Sequence, residues 1–140
     1  MPFVGYSWVG ILAATIAGYA VGSVWYGVLG DRWLAALGLT KADITNDKGK
    51  PKSFAPFIIA FVADLVMAFV LAGVMGHVGE LTVRNGLITA AFIWSGFVIT
   101  TLVVNTSFSM RSKSLIWIDG GHWLVVLLVM GAVIGGIGMR

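Results

Sequence analysis

Long apolar stretches alternate with short polar breaks along this chain. Residues 3–29, 54–75, about 85–108 and 115–138 are each dominated by apolar side chains. Each is at least as long as the roughly 20 residues a helix needs to cross a bilayer. The pattern predicts an all-α integral membrane protein of four transmembrane helices in an antiparallel bundle, forming one domain over 1–140.

The breaks carry their own signals. In residues 31–53, Asp31 is placed to cap a short interfacial helix through Arg32-Trp33-Leu34-Ala35-Ala36-Leu37, with Gly38 ending it. Thr40-Lys41-Ala42-Asp43 has the form of a second cap. Asn46-Asp47-Lys48-Gly49-Lys50-Pro51-Lys52 then reads as a flexible basic turn suited to anionic lipid. In the connection between spans two and three, His77 and Glu80 stand three apart, which is thin support for a metal contact and fits a solvated turn.

Composition changes the solvent. The chain is 59% hydrophobic and only 11% charged, and its mean hydropathy is +0.96. A soluble domain carries about 25% charged residues, so the surface here is expected to face lipid. With no Cys, disulfides, thiol chemistry and Cys-based metal sites are excluded. The net charge of +3 does not point to nucleic acid, because the basic residues flank the spans. Arg32, Lys41, Lys48, Lys50 and Lys52 lie in residues 31–53, and Arg111 and Lys113 in residues 109–114. Only Arg84 and Arg140 lie on the other side. The positive-inside bias therefore puts both basic loops in the cytoplasm and both termini on the non-cytoplasmic side. The first span has no Lys or Arg before it, is long for an h-region and has no clear cleavage site after it, so it is expected to remain a span.

Polar residues inside the spans are the candidate chemistry. Ionisable groups at membrane depth usually face a bundle interior and mark proton or ion paths. Asp64 sits near the middle of span two, with Ala60 and Ala68 one turn to either side, so a small-residue face turns it toward protein. Asp119 and His122 share a face of span four. Trp8, Leu12, Thr15, Tyr19, Ser23 and Tyr26 form a stripe on span one. Trp94, Val98, Thr101 and Asn105 fall on one face of span three. The candidate ion-binding set is Asp64, Asp119, His122, Asn105, Tyr26, Tyr19 and Thr101, arranged as a cytoplasm-facing polar cluster narrowing toward Asp64. Within it Asp119 and His122 are expected to satisfy each other. Gly18 and Gly22 on span one, and Gly131 and Gly135 on span four, permit close helix approach and suggest a homo-oligomer. No cofactor or metal is called for.

Three stretches carry a family resemblance. They are Gly22-Ser23-Val24-Trp25-Tyr26 leading to Gly30 and Trp33, then Leu37-Gly38-Leu39-Thr40-Lys41-Ala42-Asp43-Ile44, and in span four Ile118-Asp119-Gly120-Gly121-His122-Trp123-Leu124 followed by Met130-Gly131-Ala132. Over nearly its whole length the chain resembles a bacterial family of small four-span inner-membrane proteins catalogued as a domain of unknown function. The resemblance implies a four-helix membrane fold and supplies no catalytic residue. Similarity to small multidrug transporters stops at size, since those carry an acid in span one and this span has none.

Three function classes remain open. One is a small oligomeric transporter or channel-type subunit responsive to a proton or small cation. A second is a non-catalytic assembly protein whose buried polar residues only lock the helices. The third is an intramembrane enzyme with His122 as base and Asp119 orienting it, for which no Ser or Cys nucleophile stands at a recognisable spacing.

Overall fold

A computed structural model describes residues 4–139. Phe3, where the first span is expected to begin, and Arg140 lie outside the described residues. The described chain is helical: α1 (Trp8–Leu37), α2 (Lys41–Ile44), α3 (Ala55–Val78), α4 (Val83–Ile93), α5 (Ile99–Phe108) and α6 (Ser114–Ile137). A π-helical turn, Trp94–Val98, joins α4 to α5 without a break. Four stretches are long and apolar enough to span a membrane: Trp8–Leu37, Ala55–Val78, Val83–Phe108 and Ser114–Ile137.

Local chemistry sets the ends. Ser7 caps α1 by accepting the Gly10 N–H at 3.1 Å. At the far end Gly38 adopts the left-handed conformation, with φ 73°. That turn lets the Leu39 N–H close on the Leu34 carbonyl and the Gly38 N–H on that of Ala35, a Schellman stop. Gly38 therefore ends a helix as its position implied, but a different helix from the one expected. No separate element begins at Asp31. Arg32–Leu37 is the last part of a 30-residue α1, because nothing between Val28 and Leu37 removes a backbone donor or forces a turn. Asp43 reaches back to the Thr40 N–H at 2.8 Å and starts the short α2. The basic turn after it has definite form: the Asn46 side-chain carbonyl accepts from the N–H groups of Lys48 and Lys50, both at 3.0 Å, while Thr45 and Pro51 pair as a single antiparallel bridge. Thr82 caps α4 through the Asn85 N–H.

The bundle is organised around α6. Its two broadest contacts are with α1 and α4, and α3 packs mainly on α1. In lipid there is little hydrophobic gain in joining helices, so packing rests on small residues that let backbones approach. Gly131 of α6 meets Gly86 of α4 backbone to backbone, and Gly135 meets the Thr82 carbonyl; a Cβ at any of these glycines would run into main chain. Gly18 of α1 lies under Met130 and Val126 of α6, and Gly22 lies under the His122 ring. All four glycines read as an oligomer surface thus pack inside the subunit, and the glycine argument for an oligomer falls away. Ile11, Ala14, Leu71, Met75, Val126 and Met130 fill the core between these helices. Outward-facing Val, Ile and Phe side chains of α1, α3 and α4–α5 stay exposed on the bundle surface, as lipid contact requires.

Candidate functional site

Among the described residues, the ionisable groups inside the bundle fall in two separate places. The first is where α1 meets α6 near the basic-loop end. The Tyr26 hydroxyl donates to the Asp119 carboxylate at 2.6 Å. Tyr26 also leans on the His122 ring, centroids 4.9 Å apart, and packs edge-on against Trp33. His122 stands against Trp123 at 4.4 Å. Two indoles tie this level to α6: Trp25 donates to the Ile118 carbonyl at 2.9 Å and Trp94 to the Gly120 carbonyl at 2.8 Å. The guanidinium of Arg111 adds a Coulomb attraction to Asp119 from the loop.

The expected Asp119–His122 pair does not form. On one helix face their side chains lie side by side, but Asp119 turns to Tyr26 across the α1–α6 seam. His122 is 7% exposed, and its Nδ1 is buried without a hydrogen-bond partner. A phenol facing a carboxylate across a seam makes a short, charge-assisted bond, and Tyr26 holds the acid this way at 2.6 Å.

The second place is Asp64 on α3. It is 4% exposed, and among the described residues no hydrogen bond or ion pair reaches it. Its level follows from the antiparallel register of α1 and α3. Tyr19 donates to the Phe57 carbonyl at 3.2 Å and packs on Phe61, while Tyr6 stacks on Phe69 and covers Gly73. Asp64 therefore lies about level with Ala14 and Thr15, both fully buried. Thr15 gives its hydroxyl proton to the Ile11 carbonyl at 2.8 Å. His122 lies against Gly22, seven to eight residues farther along α1, or roughly 11 Å at 1.5 Å per residue. The single cluster narrowing to Asp64 resolves into a seam bonded through Tyr26 and Asp119, with the His122 Nδ1 left unpaired inside it, and a separate bare carboxyl.

Tyr19, Thr101 and Asn105 belong to neither. Tyr19 braces the α1–α3 contact. Thr101 and Asn105 are exposed on the outer surface of α5, and Thr101 returns its hydroxyl proton to the Phe97 carbonyl of its own helix. The cause is the π turn. Its wider ring inserts one extra residue into the α-helical count, turning everything after it by about 100°. Trp94, before the insertion, faces α6, whereas Thr101 and Asn105 swing outward and Thr106 becomes buried in their place. The stripe on α1 likewise divides: Trp8 and Leu12 are exposed, Thr15 is buried, and Tyr26 faces α6.

Trp25 and Trp94, which the search for ionisable groups passes over, hold the seam. A signal existed, because an indole N–H within a span needs an acceptor, and a carbonyl beside a helical glycine such as Gly120 or Gly121 is left accessible. Among the described residues no group of three or more His, Cys, Asp or Glu comes together as a metal site. His77 turns its Nδ1 to the Gly73 carbonyl at 2.8 Å.

Comparison with known proteins places the chain in one family. Residues 9–135 match the model for "Protein of unknown function (DUF1761)", and since this covers most of the chain, the chain belongs to that family. No curated protein and no solved structure matches it.

Proposed function

We propose that this member of the DUF1761 family is a membrane-embedded subunit that takes up and releases protons at Asp64. The observation that carries the reading is one carboxyl, 4% exposed in the middle of a spanning helix, with no partner among the described residues. A carboxylate at the centre of a lone spanning helix costs roughly 2.5–3.5 kcal/mol on insertion scales, and no bond from the described residues offsets it here. A proton suits the place better than a metal ion, which takes about six oxygen ligands, while Ala14 and Ala68 offer none. The basic loops face the cytoplasm of a bacterial inner membrane, with both termini on the opposite side. The Tyr26–Asp119 seam is the scaffold that keeps α1 and α6 in register beside α3.

The test is a proton-flux assay in liposomes with an imposed pH gradient. The expected result is a flux above that of empty liposomes, lost in Asp64→Asn and largely kept in Asp119→Asn. Wild-type flux equal to that of empty liposomes would sink the reading.

A second reading is a packing protein whose polar groups only lock the bundle. It is favoured by the indole bonds from Trp25 and Trp94 to α6 carbonyls, which hold helices and move nothing. On that reading no variant changes flux, and Asp64→Asn changes stability alone.

A further inference from the structure

An apolar groove runs down the outer side of the α1–α6 contact. It is shallow and open along its length, has a volume of about 680 Å³, and is lined by α1 from Ala17 to Leu29 with Val125 as its one residue from α6. Ala17 and Ala20 make it hollow, because neither reaches far from the helix. Trp25 makes it rigid: its indole is tied to the Ile118 carbonyl and its ring covers Gly121.

Its length matches one leaflet. The thirteen residues of helix from Ala17 to Leu29 rise by roughly 18 Å, and half of a typical hydrocarbon core is about 15 Å. Its depth matches as well. Counting about 30 Å from Trp8, where α1 begins, brings the hydrocarbon edge near Val28. Arg32 follows Leu29 by three residues and Val28 by four, so it stands on the same side of α1, at phosphate height. It is exposed, and among the described residues it has no hydrogen bond or ion pair. A guanidinium suits a phosphate better than an ammonium does, because its planar donors engage two oxygens at once.

We infer that this groove is a phospholipid site, with one acyl chain along Ala17–Leu29 and an anionic headgroup held by Arg32. The alternative occupant is a helix from a second copy. A helix would be expected to use more of α1 than one leaflet's length, and it would leave the cation at the groove's end without a counter-charge.

Native mass spectrometry of the detergent-solubilised chain, given phosphatidylglycerol and phosphatidylcholine in equal amounts, decides it. The wild type is expected to keep one lipid per chain and to favour phosphatidylglycerol by about tenfold, the effect of one charge-assisted contact. Arg32→Gln, at an exposed side chain, abolishes the preference. Ala20→Phe fills the hollow and releases the lipid, whereas Val66→Phe on the exposed side of α3 leaves it bound. The site is overturned if Arg32→Gln retains the preference, or if folded Ala20→Phe retains the lipid. It is equally overturned if the wild type is a lipid-free dimer that Ala20→Phe splits. Should Ala20→Phe fail to fold, the Arg32→Gln result decides alone.

Discussion

Asp119 and Asp64 are the same chemical group on neighbouring helices, and their surroundings are opposite. Asp119 accepts from Tyr26, feels Arg111 and sits among aromatic rings joined by two indole bonds. Asp64 has buried alanine around it and no partner among the described residues. A bonded carboxyl fixes a seam, since removing its partner strands it. A bare one adds nothing to packing, and its presence asks for another account. The contrast separates structure-holding polarity from polarity free to react, a distinction that charge and depth alone do not make.

The largest expected effect comes from breaking the bonded side. Tyr26→Phe leaves the Asp119 carboxyl unsatisfied and should lower stability by about 1–3 kcal/mol, measured as reversible unfolding in bicelles. An unchanged stability would place the two acids in one class. The bare side should respond with the opposite sign. Asp64→Leu replaces an unpartnered polar group with an apolar one of similar size and should raise stability by about 1 kcal/mol or more, while abolishing any proton flux. A fall in stability would mean Asp64 has a structural partner after all.

The smallest effect calibrates the pair with an acid in water. Asp43 lies outside the spans, and the Thr40 N–H, then the Thr40 hydroxyl, hold its carboxyl below the usual carboxylate range. A folded value below the unfolded one gives a contribution present above the unfolded value, about 3.9, and lost as pH falls through the folded one. Hydrogen exchange at the Thr40 amide, corrected for intrinsic rate, should therefore speed up only below about pH 4. Protection that does not change with pH would remove the cap's role. The global unfolding of the bundle should not follow it.

Much of this contrast was open to reading in sequence. Four apolar stretches gave four spans, and Ala60 and Ala68 beside Asp64 pointed it inward. Gly38 and the Thr40–Asp43 cap sat where the chain turns. The misreadings share a cause, which is that each depended on rotation about a helix axis or on the identity of a neighbour. A straight 3.6-residue count puts Thr101 and Asn105 on the face of Trp94, and the π turn at Trp94–Val98 interrupts that count. Spacing pairs Asp119 with His122 on its own helix, whereas its hydrogen bond runs across the seam to Tyr26. Glycine spacing indicated close contact without saying with which helix, and Gly131 chose Gly86.

The sequence by itself determined the number of helices long and apolar enough to span a membrane and the position of each ionisable residue along its helix. Those follow from apolar run length and from a fixed 1.5 Å rise per residue. Only the tertiary structure decided which acid is bonded and which is bare. Partnership across a seam depends on the azimuth of two helices and on which backbones approach closely, and local composition specifies neither.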